Sequence, residues 1–134
     1  MAAVTKASDA HIDANTAKKA GHLAGDFIAG ENLAACDFLY IKASDGLVYR
    51  TTGATLGGEN SRCAGVTPKA VLAGQVVDIL SAPLVMRYAS SGLTPGALLY
   101  LSTAGGLDTA ATTGDTTGIA QAVNATDIRL VRFI

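Results

Sequence analysis

The chain has 134 residues, of which 49% are hydrophobic and only 16% charged, and its formal net charge is −1. This length suits one domain. The near-neutral charge excludes the basic footprint of a nucleic-acid-binding protein, and no stretch approaches the roughly 18 apolar residues of a membrane span. Cys36 and Cys63 share no CxxC spacing, so we expect two buried, reduced thiols rather than a disulfide framework.

Residues 1–22 differ from the rest of the chain. Val4 and Ile12 are their only large apolar side chains, so this stretch cannot offset the entropy of ordering it alone. We therefore expect an extended N-terminal arm that orders against a partner, with a frayed terminus as the alternative. The segment from Asp9 to Ala20 is rich in alanine and could form a helix that ends at Gly21.

Residues 23–134 predict a single all-β domain. Short apolar runs alternate with turns that contain Gly, Ser, Asp or Pro, which is typical of a small β-barrel or β-sandwich. The predicted strands are Phe38 to Lys42, Leu47 to Thr51, Arg62 to Val66, Val76 to Leu80, Leu84 to Tyr88, Ala97 to Ser102, Thr117 to Val123 and Asp127 to Phe133.

Two of the connections predict specific turns. Ser44-Asp45-Gly46 offers an Asx acceptor followed by a residue that tolerates positive φ, as a hairpin requires. Thr94-Pro95-Gly96 places Pro where φ near −65° is needed and Gly where φ must be positive, which predicts a type II turn.

The chain contains an internal similarity. Residues 33–41 can be aligned on residues 93–101 at an offset of 60, and Gly46-Leu47 then falls on Gly106-Leu107 without a gap. A weaker similarity continues where residues 64–66 match 117–119 at a spacing of 53. We therefore predict a pseudo-duplicated hairpin unit within the β-domain, with coincidence as the alternative.

No catalytic constellation is evident. His11 and His22 are the only histidines, and both lie in the N-terminal arm, which offers no rigid supporting shell. The carboxylates are scattered, mostly at turns, and the segment Gly53 to Gly58 lacks the GK[ST] ending of a phosphate-binding loop. We predict no catalytic, metal or cofactor site, no small-molecule substrate and no enzymatic activity.

Several turn-and-strand patterns carry a resemblance to a known family. The first half contains Ala24-Gly25-Asp26, Leu33-Ala34-Ala35-Cys36-Asp37 and Leu47-Val48-Tyr49; the second contains Ser91-Gly92-Leu93-Thr94-Pro95-Gly96-Ala97-Leu98-Leu99-Tyr100-Leu101, Gly105-Gly106-Leu107 and Thr117-Gly118-Ile119-Ala120. In these residues the chain resembles the small capsid decoration (cement) proteins of tailed bacteriophages. The resemblance covers roughly residues 23–134. The chain departs from the family pattern in having Cys36 where a Gly is expected and in its long loop from Thr51 to Arg62.

The resemblance implies a compact barrel, β-tulip or jelly-roll-like domain that forms a homotrimer. Its partner would be the major capsid protein on the outer capsid surface of the virion, where it would stabilise the shell after synthesis in the host cytoplasm. The N-terminal arm would reach across the capsid. The arm residues expected to contact the capsid are Lys6, His11, Lys18, Lys19 and His22.

Two other classes of function remain open. One is another virion structural β-protein, such as a head-fibre base or a tail-associated subunit. The other is a carbohydrate- or cell-surface-binding β-module. Such modules usually present aromatic residues to sugars, whereas Trp is absent here and all four tyrosines fall in predicted strands. We therefore expect Tyr40, Tyr49, Tyr88 and Tyr100 to pack in the core or in an interface.

Overall fold

The computed structural model describes residues 3–12, 21–23, 27–53, 59–81 and 84–131. These residues form β-strands and one short 3-10 helix, Glu59–Ser61, with no α-helix among them. The strands are β1 (Ala3–Val4), β2 (Gly21–Leu23), β3 (Phe38–Ile41), β4 (Val48–Arg50), β5 (Gly65–Val66), β6 (Ile79–Ser81), β7 (Val85–Arg87), β8 (Leu98–Leu101), β9 (Leu107–Asp108), β10 (Ala120–Ala122) and β11 (Asp127–Leu130). No helix in these ranges is long and apolar enough to cross a membrane.

The strands form two antiparallel sheets, which confirms the all-β prediction. The first sheet has the order β2-β6-β5-β3-β4, and the second has the order β1-β9-β8-β10-β11-β7. Each strand is short, and adjacent strands are joined by tight turns or loops, as the alternation of apolar runs and turn residues predicts. The architecture is that of a small β-sandwich.

The main hydrophobic core lies between the two sheets. Side chains alternate across a strand, so paired residues point to the same face of a sheet. The row Phe38, Val66 and Leu80 of the first sheet packs in this core together with the row Leu99, Ala120 and Leu130 of the second sheet. All six are buried. Burial of these two facing rows joins the sheets into one domain.

The opposite face of the first sheet carries a second, smaller core. Leu39 and Ile79 point away from the main core and pack with Val48. The segments around residues 27–33 and 71–77 cover them and contribute Leu33, Val71 and Val77, among others. The first sheet is therefore buried on both faces, whereas nothing described covers the outer face of the second sheet.

The predicted strands contain most of the observed ones, but the observed strands are shorter. Every predicted strand overlaps one observed strand; residues 132–134, at the end of the last prediction, lie outside the described residues. The strands β1 and β2 were not predicted, because they lie in the segment expected to be an arm, whereas β9 corresponds to the return strand of the second predicted hairpin, which begins at Leu107. The helix predicted between Asp9 and Ala20 is wrong where it is described, since Asp9 lies in a turn and His11 forms a β-bridge with Arg87.

The expected extended N-terminal arm is not confirmed. Ala3–Val4 pairs with β9 of the same chain, and Gly21–Leu23 pairs with β6. Between them, the Ala7 N–H donates to the Tyr88 carbonyl at 2.7 Å. The described parts of residues 1–22 therefore lie on their own domain, and residues 13–20 are outside the described residues.

The two halves of the chain share one strand order. The order β4-β3-β5-β6-β2 of the first sheet corresponds to β9-β8-β10-β11-β7 of the second. Leu39 pairs with Gly65, and the corresponding Leu99 pairs with Ala120. Gly65 therefore corresponds to Ala120 at a spacing of 55 residues, whereas the sequence alignment gave a spacing of 53.

The two hairpins of this shared order differ by one residue in their turns. Ile41 pairs with Val48 but Leu101 pairs with Leu107, so the second hairpin has a turn one residue shorter. The gapless alignment of the two hairpins is therefore wrong at this point. In the shorter turn, both central residues, Ala104 and Gly105, have positive φ (54° and 72°), and Gly106 N–H donates to the Thr103 carbonyl at 3.0 Å. This is the type I′ geometry that suits a tight hairpin.

The turns that precede β3 and β8 are equivalent. Ala97 N–H donates to the Thr94 carbonyl at 3.0 Å with Gly96 at φ 86°, which confirms the positive φ predicted for that glycine. In the first half, Asp37 N–H donates to the Ala34 carbonyl at 3.2 Å, and the residue at the position of Gly96 is Cys36, with φ 65°. Cys36, which stands where the resemblance leads us to expect a Gly, therefore occupies a position that favours glycine.

Candidate interaction surfaces

The N-terminal segment is attached to the domain through a buried carboxylate. The Lys6 ammonium lies 2.5 Å from Asp37 Oδ1 and donates to the Ala35 carbonyl at 2.8 Å. The other oxygen of Asp37 accepts the Ala34 N–H at 2.8 Å. Because Asp37 is buried, Lys6 supplies the countercharge that this carboxylate requires. Lys6, predicted to contact a capsid, is engaged within its own chain.

Two protonated side chains lie beside this ion pair. Burial raises the pKa of the Cys36 thiol to about 11; the charge of Lys6 opposes this shift and that of Asp37 adds to it. Burial also raises the pKa of Tyr88, whose ring meets that of Phe38 edge to face at 6.3 Å between centroids. A neutral, desolvated thiol is a poor nucleophile, so this site holds the N-terminal segment and has no reactive cysteine.

Of the other residues predicted to contact a capsid, the structure describes the side chain of His11 and the backbone of His22. His11 is exposed and its Nδ1 lies 2.8 Å from the Asp9 carbonyl, while the Asp9 carboxylate accepts from Arg87 Nε at 3.2 Å. His22 lies on β2, where its backbone pairs with Leu80. Lys18 and Lys19 lie outside the described residues.

The outer face of the second sheet exposes several aliphatic side chains. One row of paired residues crosses it: Leu98, Gln121, Arg129 and Val85, which we call the outer row. Leu98 and Val85, at the two ends of the row, are 42% and 44% exposed. Val123, next to the row, is also exposed. Aliphatic side chains on an uncovered sheet face are a typical component of a protein interface.

The centre of the outer row is polar and held in place. Gln121 Oε1 accepts from Arg129 Nε at 2.8 Å, while Gln121 Nε2 donates to the Gly96 carbonyl at 3.0 Å. Within the described part of the chain, no carboxylate lies at ion-pair distance from Arg129. The row therefore presents an oriented positive charge between two aliphatic side chains.

A second exposed apolar surface lies at the other end of the molecule. The segment over the smaller core turns at Gly74 (φ 88°) and exposes Leu72 and Val76, which are 59% and 61% accessible. Asp78 follows Val76 by two residues and is also exposed. We call Leu72, Val76 and Asp78 the loop surface. A shallow hollow of about 190 Å³ beside it is lined partly by Leu72 and Asn32.

The tyrosines divide between the core and the surface of the domain, and packing of the surface tyrosines in an interface stays a prediction. Tyr88 is fully buried. Tyr40 and Tyr49 lie half-buried on the first hairpin with ring centroids 6.1 Å apart, and the Lys42 ammonium is 5.0 Å from the Tyr49 ring. The Tyr49 hydroxyl donates to Asp45 at 2.7 Å, which lowers the pKa of Asp45 and raises that of Tyr49.

The absence of a catalytic, metal or cofactor site stays a prediction. No group of three His, Cys, Asp or Glu side chains within those ranges could hold a metal ion. A hollow of about 220 Å³ lies beside the N-terminal strand and is lined by backbone and small side chains such as Ser91 and Thr109. Gly53, in the segment that superficially resembles a phosphate loop, is in close contact with the Leu101 carbonyl, where a Cβ would clash at 2.1 Å.

The carboxylates that matter most structurally were not identified from the sequence. Asp115 is buried, and its two oxygens accept the N–H groups of Leu101 at 2.9 Å, Gly118 at 2.9 Å and Thr117 at 3.3 Å. Asp37 and Asp115 are both buried, and each accepts backbone N–H groups of its own turn. An Asp that precedes a Thr-Thr-Gly turn is a signal for such capping, but burial depends on the tertiary structure.

No protein-family model matches the chain, and no curated protein matches it either.

Proposed function

We propose that this chain is a capsid decoration protein, which binds the outer surface of a phage head where capsid subunits meet and stabilises the shell. In this proposal its partners are the major capsid protein and further copies of itself in a homotrimer, and its location is the virion surface after synthesis in the host cytoplasm. Such a protein works by burying surface area and needs no catalytic group. Several weak attachments in one oligomer add up through avidity.

The main support for the proposal is that the sequence patterns shared with the decoration proteins form equivalent structures in the two halves of the chain. The patterns before β3 and β8 form matching turns, in which Cys36 and Gly96 share a positive φ. The N–H groups of these two residues donate to the Thr67 and Ala122 carbonyls, at 2.9 and 2.7 Å, and these carbonyls belong to equivalent neighbouring segments. The matching patterns thus mark one repeated building unit.

The surface of the domain also supports the proposal. Few side chains are charged, and aliphatic groups are exposed at both ends of the molecule, at Leu98 and Val85 and at Leu72 and Val76. Specific interfaces are depleted in charge at their centres and enriched in apolar contact. This distribution favours a protein that works through contact with other protein surfaces.

The direct test is binding to capsids built from the major capsid protein that is encoded in the same genome. Purified chain would be mixed with expanded heads and, as the matched control, with unexpanded heads, and the bound fraction would be measured by co-sedimentation. We expect saturable binding to expanded heads and added density at the junctions of capsid subunits in electron microscopy. Equal and non-saturable recovery with both kinds of head would refute the proposal.

The N-terminal segment calls for point variants rather than deletion in this assay. Removing residues 1–22 would also remove β1, most of β2 and the partner of Asp37, so a loss of binding would not separate capsid contact from instability. His11→Ala leaves the Lys6–Asp37 pair intact and changes an exposed side chain. If this segment contacts the shell, His11→Ala should weaken binding to expanded heads several-fold without lowering the unfolding midpoint.

One observation favours a carbohydrate- or cell-surface-binding module as a second candidate. The half-buried rings of Tyr40 and Tyr49, with Lys42 beside them, form an aromatic and polar patch of the kind that can stack on a sugar. Binding to an array of glycans, abolished by Tyr49→Ala but not by Tyr100→Ala, would support this candidate. Absence of glycan binding together with saturable capsid binding would eliminate it.

A further inference from the structure

The outer row corresponds to a row that the first sheet buries inside the domain. Through the strand pairings, the residues Leu98, Gln121 and Arg129 hold the positions that the first sheet fills with Phe38, Val66 and Leu80. In the main core, that first-sheet row is covered by the inner face of the second sheet, which carries Leu99 and Ala120. The fold itself therefore shows what covers a row at these positions, namely another β-surface that brings aliphatic side chains.

A second copy of the chain does not offer such a surface. The counterpart of the Leu99 face in the first sheet is the Leu39 face, and the segments around residues 27–33 and 71–77 cover it. Leu39 and Leu99 are 0% and 2% exposed. Each copy has therefore already covered both faces that would continue the stack of sheets, and neither can receive the outer row of another copy.

Two outer rows facing each other are also unfavourable. The row contains Arg129 and no carboxylate, so such a contact would bury two guanidinium groups in one apolar interface. Asp127 lies two residues before Arg129 on β11 and so on the same face, but its oxygens accept from Thr126 Oγ1 at 2.9 Å and from Asn124 Nδ2 at 3.4 Å. These arrangements of two copies leave the row without a countercharge, which favours a different protein as its partner.

The composition of the outer row specifies the chemistry of that partner. Arg129 is exposed, and its Nε donates to Gln121 Oε1 at 2.8 Å, which orients the guanidinium and leaves its other N–H groups to take a carboxylate. Neighbouring strands are about 5 Å apart, so the aliphatic Val85 lies about 5 Å from Arg129 on one side and Leu98 about 10 Å away on the other. The complementary surface presents a carboxylate between aliphatic side chains at these spacings.

We infer that the outer row is the face that binds the major capsid protein, at a surface where an Asp or Glu side chain lies between aliphatic side chains and accepts from Arg129. The inference rests on the proposed function and names the face of the chain that contacts the shell. Contacts between copies of the chain then lie on other surfaces of the domain.

Binding of variants to expanded heads tests this face. Dissociation constants would be measured by co-sedimentation for the wild type, Arg129→Glu and Leu98→Ser. The matched controls are Arg62→Glu and Leu72→Ser, which make the same changes at exposed positions outside the outer row. Unfolding midpoints would establish that each variant is folded.

We expect Arg129→Glu to weaken binding by about tenfold or more and Leu98→Ser to weaken it measurably, while both controls bind as the wild type does. Unchanged binding of the two outer-row variants, or equal losses in variants and controls, would overturn the inference and leave the decoration function standing. A wild type that does not bind expanded heads would overturn both.

A zero-length cross-link identifies the countercharge. Carbodiimide joins a lysine amine to a carboxylate only where the two are in contact, and Arg129→Lys keeps the positive charge of the row. With this variant bound to expanded heads, mass spectrometry should find position 129 joined to an Asp or Glu of the major capsid protein, a product that Arg62→Lys should not give at position 62. A cross-link from position 129 to a second copy of the chain, or none from position 129 in the bound variant, would overturn the inferred pairing.

Discussion

Cys36 provides the sharpest test of the duplicated architecture. It occupies the turn position that Gly96 occupies in the second half, with φ 65° against 86°. Cys63 is a matched control because it is also a fully buried cysteine, whose thiol donates to the Gly65 carbonyl at 3.4 Å, but its φ is not positive. The variants Cys36→Ala, Cys36→Gly, Cys63→Ala and Cys63→Gly separate the backbone effect from loss of the sulfur.

The expected magnitudes follow from three contributions. Changing Ala to Gly costs about 0.5–1 kcal/mol in backbone entropy and removes one buried methyl group, about 0.8 kcal/mol. At Cys63 the Gly variant should therefore be less stable than the Ala variant by about 1.5 kcal/mol. At Cys36 relief of the left-handed conformation returns about 1–2 kcal/mol, so the two variants should be nearly equal in stability.

The free energies of unfolding would be measured by urea titration in the presence of a reducing agent. The quantity of interest is the Gly-minus-Ala difference at each site, because the loss of the sulfur cancels within a site. We predict that this difference is more favourable to Gly at Cys36 than at Cys63 by about 1.5 kcal/mol. Equal differences at the two sites would refute the assignment of a strained, glycine-favouring turn to Cys36.

Three further predictions concern stability. Ala104→Gly should raise the free energy of unfolding by about 1 kcal/mol, since Ala104 has φ 54°; an unchanged urea midpoint would contradict the type I′ turn. Lys6→Met should lower it by about 2 kcal/mol, because Asp37 stays buried without its cation, whereas the exposed Lys69→Met should have no effect in the same titration. Burial raises the pKa of Cys36 from 9.0 to about 11, so the unfolded chain loses its thiol proton at a lower pH than the folded chain. The free energy of unfolding should therefore fall as pH rises from 9 towards 11, by about 1 kcal/mol at pH 10. The variant Cys36→Ala should show a smaller fall over the same pH range.

The strands and turns that the sequence predicts are those whose signal is local. Gly46 (φ 71°) and Gly96 adopt the positive φ expected from their turns, and Asp45 accepts the Leu47 N–H at 2.9 Å as an Asx turn requires. Ile128 and Leu130 are buried in alternation on β11. In each case the residue type and its immediate neighbours determine the conformation.

The position of the N-terminal segment could not be predicted from composition. The segment has few large apolar residues, but it is ordered by contacts far along the chain, where Lys6 meets Asp37 and Val4 pairs with Leu107. The ammonium of Lys6 compensates the charge of the buried Asp37 carboxylate, a contact that the composition of the segment does not indicate. The outer row escaped prediction for the same reason, since its four residues become neighbours only through strand pairing.

The outer row of the second sheet is more polar than the equivalent row of the first sheet, and this difference limits the stacking of further apolar surfaces on it. If the outer row repeated the fully apolar Phe38, Val66 and Leu80, it would present a sheet face able to accept any flat apolar partner. Gln121 and Arg129 prevent this, because burying an uncompensated guanidinium is costly. The same substitution makes the face selective, since only a partner that brings a carboxylate to Arg129 recovers that cost.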